Sequence, residues 1–172
     1  LKKIFAVAHA HGARIAFNPG IRELEKGLRA IEPILRAADV LFINQEEAAQ
    51  LTGIPYKKEK AIFQKLDAIV RGIVVMTKGK DGVVVSDGKT LYHAGVPRAT
   101  IVGRTGAGDA FGSGFIAGLV HEKGIPFSIQ LGTANATSVI QHLSAKRGIL
   151  HKGSFGKWPR VIVKTTSLKN HG

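Results

Sequence analysis

The sequence predicts a doubly wound α/β protein, with a largely parallel sheet and flanking helices. Short apolar segments of strand character alternate with segments of helical period. One of them, Ile73-Val74-Val75-Met76-Thr77, is continuously apolar, like strands buried on both faces of a parallel sheet. Hydrophobic residues make up 44% and charged residues 22% of the 172 residues, a globular balance in a chain long enough to bury a core.

The elements follow in order. Arg14 to Pro19 reads as a short buried strand closed by a Pro-Gly turn. Leu24, Leu28, Ile31, Ile34 and Leu35 predict a helix over 22–37, with Pro33 as the expected point of kinking or splitting. Asp39 to Asn44 is a second strand, followed by a helix over 45–52 that Gly53 stops. A helix over 57–70 buries Ile62, Phe63, Leu66, Ile69 and Val70. After the strand at 73–77, residues 83–86 and 89–92 form a hairpin about Asp87-Gly88. Residues 93–104 are a loop, and helices are expected over about 107–122 and 127–144. The tail holds one strand, Arg160 to Lys164, with Phe155 and Trp158 as tail packing.

Composition removes several functions. Without cysteine there are no disulfides or thiolate metal sites, in keeping with a reducing, cytoplasmic setting. No apolar run reaches the roughly 18 residues needed to cross a bilayer, so no membrane partner is expected. The opening Leu1 to Ala8 is positive then apolar, but His9, His11 and Arg14 interrupt it, against a secretory signal. The chain begins without methionine, as a piece of something longer would. The seven histidines show no metal-ligand spacing, which argues against structural zinc. The net charge of +13 is scattered, densest at Lys57-Lys58-Glu59-Lys60 and in the tail. That pattern favours a solvated basic surface over nucleic-acid binding.

The chemistry concentrates in Gly103-Arg104-Thr105-Gly106-Ala107-Gly108-Asp109-Ala110-Phe111-Gly112-Ser113-Gly114-Phe115. Small residues at 106–108 let the backbone approach a ligand at a helix N-terminus, where free N–H groups favour a phosphate. Asp109 beside a phosphate makes sense as a base that takes a proton from an attacking hydroxyl. The simpler reading is that Asp109 caps the helix and the glycines only turn the chain. The loop is not a Walker loop, because no Gly-Lys-Ser/Thr follows, and no Gly-x-Ser-x-Gly elbow supports a hydrolase. Gly112 and Gly114 cost helix stability, so something must require close packing.

Thr105-Gly106-Ala107-Gly108-Asp109-Ala110-Phe111 followed by a small-residue helix resembles the C-terminal motif of the PfkB-type, ribokinase-like carbohydrate kinases. The resemblance runs from about Arg14 to Leu150 and implies a Rossmann-like, ribokinase-like fold. It implies Asp109 as catalytic base, with the backbone of Gly106, Ala107 and Gly108 as anion hole. Asn44-Gln45-Glu46-Glu47 resembles the family's Asn-x-x-Glu motif, with Asn44 near the phosphates and Glu47 holding Mg²⁺ through water. On their residues alone, Glu46 and Glu47 simply favour a helix N-terminus. Thr77-Lys78-Gly79-Lys80-Asp81-Gly82 resembles Thr-x-Gly-x-x-Gly, which implies ATP contacts at Thr77, Gly79 and Gly82. Asn135, in Gly132-Thr133-Ala134-Asn135-Ala136, is implied beside the adenine, with a plain helix-surface Asn as the alternative. Phe17-Asn18-Pro19-Gly20 is similar to the family's Asn-Pro segment near the cleft.

Complete members are almost twice as long, and their N-terminal part and β-sheet lid have no match here. The expected organisation is therefore a C-terminal nucleotide-binding and catalytic part at 1–150, with a basic tail at 151–172. Many members carry an aspartate six residues before the catalytic one, at a monovalent-cation site. Gly103 stands there, followed by Arg104, which puts potassium activation in question. The implied function is ATP-dependent, Mg²⁺-assisted phosphorylation of a hydroxyl on a sugar or sugar-like substrate. A nucleoside (adenosine-like) kinase and a non-catalytic nucleotide- or nucleic-acid-binding fragment are the alternatives. A homodimer through the absent lid stays open.

Overall fold

The computed structural model describes residues 1–153 and 158–168. Phe155 lies outside the described residues, whereas Trp158 is half-buried. The described residues divide into two compact units, one comprising 1–79, 83–92 and 165–168, the other 80–82, 93–153 and 158–164. Among the described residues no helix is long and apolar enough to cross a membrane.

The first unit opens with α1 (Lys2–Ala10), which the sequence did not predict. Phe5 is its only buried residue, packed edge-to-face on Phe17 at 5.7 Å, while Ile4 and Val7 are 66% and 59% exposed. A helix whose apolar residues largely face water shows no core-facing stripe in its sequence. Then come β1 (Ala16–Phe17), α2 (Ile21–Glu25) and α3 (Leu28–Leu35). The expected single helix is broken at Gly27 and not at Pro33, which lies inside α3. Gly27 has φ 76° and ψ 165°, a region that is essentially glycine-only.

β2 (Val40–Asn44) leads into α4 (Gln45–Thr52), which ends at a left-handed Gly53. α5 (Glu59–Asp67) buries Ile62, Phe63 and Leu66. β3 (Ile73–Thr77) coincides with the expected strand, and Val74, Val75 and Met76 are all buried. A 3₁₀ turn at Gly79–Asp81 precedes β4 (Val83–Ser86) and β5 (Thr90–Ala94). β1, β2 and β3 pair in parallel, and β3 pairs antiparallel with β4. The mixed sheet has six strands in chain order, closed by β6 (Val163–Ser167). Its core includes Leu35, Leu41, Phe63, Leu66 and Val74.

The second unit is dominated by α6 (Ala107–Val120) and α7 (Gly124–Val139). A Cβ at Gly118 would lie 2.5 Å from Ser128 Cα, and one at Gly114 would lie 2.8 Å from the Leu131 carbonyl oxygen. Gly114 and Gly118 are thus required by the approach of α7. α7 stops before the expected 144 because the Ile140 carbonyl accepts from Val102 N (2.8 Å) and Gly103 N (3.1 Å). The tail strand begins at 163 and not at 160. Gln130's amide donates to Val161 O and accepts from Val161 N, so both backbone groups of Val161 are withdrawn from any ladder.

At the end of α5, Asp67 Oδ2 accepts from Ser86 Oγ at 2.6 Å, while Oδ1 is buried without a partner among the described residues. Burial pushes the Asp67 carboxyl up to about 6; the Ser86 hydrogen bond opposes this and the Asp87 charge adds to it. Asp87 is also partly desolvated, but hydrogen bonds from Thr90 N, Lys89 N and the Tyr92 hydroxyl more than offset this and lower it. A carboxyl raised in the folded state binds its proton more tightly there than in the unfolded chain. Its favourable contribution is therefore complete below the unfolded value of 3.8 and is lost as pH rises through about 6. After allowance for solvent screening, the loss at neutral pH is about 1–2 kcal/mol. Urea titrations should show stability falling between about pH 4 and about pH 7, and Asp67→Asn should flatten that slope; an unchanged slope would assign it to other groups.

Candidate active site

In the first unit, Asn44 and Thr77 are register partners at the C-terminal ends of the parallel strands β2 and β3. Ligands of open α/β sheets bind beyond such ends. Asn44 caps α4: its Oδ1 accepts from Glu47 N at 2.8 Å, and Glu47 Oε2 accepts from Asn44 N at 2.9 Å. This is a reciprocal capping box, so the helix-start role of Glu47 is realised. The box uses one oxygen of the Glu47 carboxylate. Gly79 is exposed, with φ 55°, and a Cβ on it would meet nothing within 4 Å. Lys78, beside it, pairs through Nζ with Glu59 Oε2 at 2.7 Å, a link from the residue after β3 to α5 that no sequence motif signals.

In the second unit, the segment expected to form an anion hole opens α6. Gly106 is the N-cap in the left-handed region, φ 82°. A Cβ there would stand 2.5 Å from Ala145 Cβ, so strain and crowding both require glycine. Ala107 N donates to Arg104 O and Ala110 N to Gly106 O, whereas the N–H groups of Gly108 and Asp109 have no partner among the described residues. Gly108 is exposed and a Cβ on it would likewise stand in open space. Asp109 is exposed in the first turn, and among the described residues its carboxylate has no hydrogen-bond or ion-pair partner. The capping reading therefore has no bond to support it. Two free N–H groups, the helix dipole and an uncommitted carboxylate can hold an anion and accept a proton.

Gly82 also belongs to this unit, but it is buried, and a Cβ there would be 2.0 Å from Ala94 O. Asn135 is 4% exposed and bonded inside the protein. Neither a surface position nor an open face is found at these two residues.

The family model described as pfkB family carbohydrate kinase matches residues 1–152. This chain belongs to the PfkB family. It is 32% identical over 130 residues to the cytidine kinase of Thermococcus kodakarensis, over 74% of this chain and 46% of that protein. It is 28% identical over 147 residues to the ribokinase of Haemophilus influenzae, over 83% of this chain and 46% of that one. The ribokinase of Arabidopsis thaliana, solved with ribose and ATP, superposes with a TM-score of 0.80 at 21% identity, over 90% of this chain and 50% of that one. The PfkB chain thus spans about half the length of the curated relatives it matches. The ribokinase-like fold expected from the sequence is found.

The Gly108 and Gly118 positions of this PfkB chain separate ligand approach from packing. Gly118→Ala should destabilise by about 1–3 kcal/mol through overpacking against Ser128. Gly108→Ala should leave stability unchanged or raise it by up to about 1 kcal/mol, yet weaken phosphate binding at the helix start. Denaturation midpoints and titration with a nonhydrolysable nucleotide measure both; equal destabilisation would show Gly108 is a packing residue.

Proposed function

We propose that this chain is the nucleotide-binding and catalytic part of an ATP-dependent kinase that phosphorylates a hydroxyl of a sugar or sugar-like substrate. Residues 1–150 form that part and 151–172 a basic tail, in a cytoplasmic protein. The observation that carries this reading is the Asp109 carboxylate, without a partner among the described residues, beside the N–H groups of Gly108 and Asp109, which have none among them either. Asp109 takes the proton of the acceptor hydroxyl, whose oxygen forms a bond to the γ-phosphorus as the bond to the bridging oxygen breaks and ADP leaves. The turn of Gly106, Ala107 and Gly108 stabilises the charge on the transferring group through the N–H groups of Gly108 and Asp109, since Ala107 N donates to Arg104 O.

Asn44, Thr77 and Gly79, at strand ends and the turn that follows, face the nucleotide phosphates in this reading. Gly82 shapes the following turn. Among the described residues no group of three or more His, Cys, Asp or Glu could hold a metal by itself. Mg²⁺ keeps several waters and takes one or two carboxylates plus substrate phosphates. Glu47 would hold it through water, with the oxygen that the capping box leaves over. When bound, Mg²⁺ neutralises phosphate charge. The similarity to a cytidine kinase keeps a nucleoside as the second acceptor class.

Asp109→Asn in the full chain should lower turnover by about 10²–10⁴-fold while ATP affinity stays within about twofold. ADP release and calorimetric titration measure the two; retained turnover would remove Asp109 from the role of base. Val102 and Gly103 are tied to Ile140 O by peptide hydrogen bonds, and Gly103 offers no carboxylate. Replacing K⁺ by tetramethylammonium should therefore leave the rate unchanged, and a strong K⁺ requirement would overturn this.

A further inference from the structure

Asn135 lies on the face of α7 that meets α6. One turn earlier, a Cβ at Gly132 would be 2.8 Å from Phe111 O, so the helices are close enough for a short side chain to cross. Asn135 Nδ2 donates to Ala110 O at 2.7 Å and to Ser113 Oγ at 3.2 Å. Its Oδ1 accepts from Leu150 N at 2.8 Å. Both ends of the amide are therefore committed, and the residue is 4% exposed. Ala110 directly follows Asp109 in the first turn of α6.

We infer that Asn135 is a positioning residue: it holds the first turn of α6, and Asp109 with it, against α7 and the segment at Leu150. The inference rests on the role of Asp109 proposed above. Only an amide meets the demand. Two donors are needed toward α6 and one acceptor toward Leu150; an ionised carboxylate accepts only, and a leucine does neither. A buried amide bonded on both sides cannot also read a base without breaking those bonds.

The test uses Asn135→Asp and Asn135→Leu in the full chain. Ser128→Ala is the control: Ser128 is buried between the same helices, and its hydroxyl bonds Gly124 O in its own helix. Turnover is read below the unfolding transition of every variant, together with amide hydrogen exchange across residues 107–114. Both Asn135 variants should lower kcat about tenfold with KM for ATP within about twofold, and exchange across 107–114 should accelerate. Ser128→Ala should change neither. A raised KM for ATP at unchanged kcat would make Asn135 a direct base contact and overturn the inference. Unchanged exchange across 107–114, or equal effects from Ser128→Ala, would overturn it as well. If the unsubstituted chain turns over no sugar or nucleoside, the proposed function falls, and the exchange comparison alone decides the clamp.

Discussion

The second unit is organised by how closely α6 and α7 approach. Where a Cβ would stand 2.5 Å from Ser128 Cα, only a residue without a side chain fits. That separation is tighter than ordinary interdigitating side chains permit between helices. From it follow a crossing amide at Asn135 and an α7 that ends where its carbonyls meet the 102–103 loop. Gly106 is then set against Ala145. Gly114 and Gly118, each unfavourable for an isolated helix, are the condition for the rest.

Much of the fold is legible in the sequence because its signals are local. β3 is readable from its apolar run, and α4 from a cap at one end and Gly53 at the other. The failures are non-local. Pro33 carries a strong intrinsic signal for a break, but the chain breaks at Gly27, where backbone geometry demands it. The tail strand is displaced because a side chain from α7 captures Val161. α1 is invisible because its apolar residues do not define a buried face.

The candidate site divides in the same way. Gly106 to Asp109 can be read directly, since small residues before an acidic first turn have a physical meaning on their own. Asn44 and Glu47 are readable as a motif, yet the same spacing is a capping box, and the structure contains that box. One short segment therefore serves helix initiation whatever else it does. Asn135 cannot be read, because a polar residue in a helix reveals its partners only when the neighbouring helix is in place. Lys78 and Glu59 are similarly remote in sequence.

The contact between Gly106 and Ala145 changes how a map of tolerated variants for this protein should be read. Ala145 carries no reactive group and sits beyond the end of α7, in a loop that looks ordinary in sequence. Its methyl group nevertheless forms the back wall of the turn that opens α6. Larger residues at 145 would press on that turn from behind. Such a position would score with the chemistry while belonging to the scaffold, and intolerance to substitution would misname it as a catalytic residue.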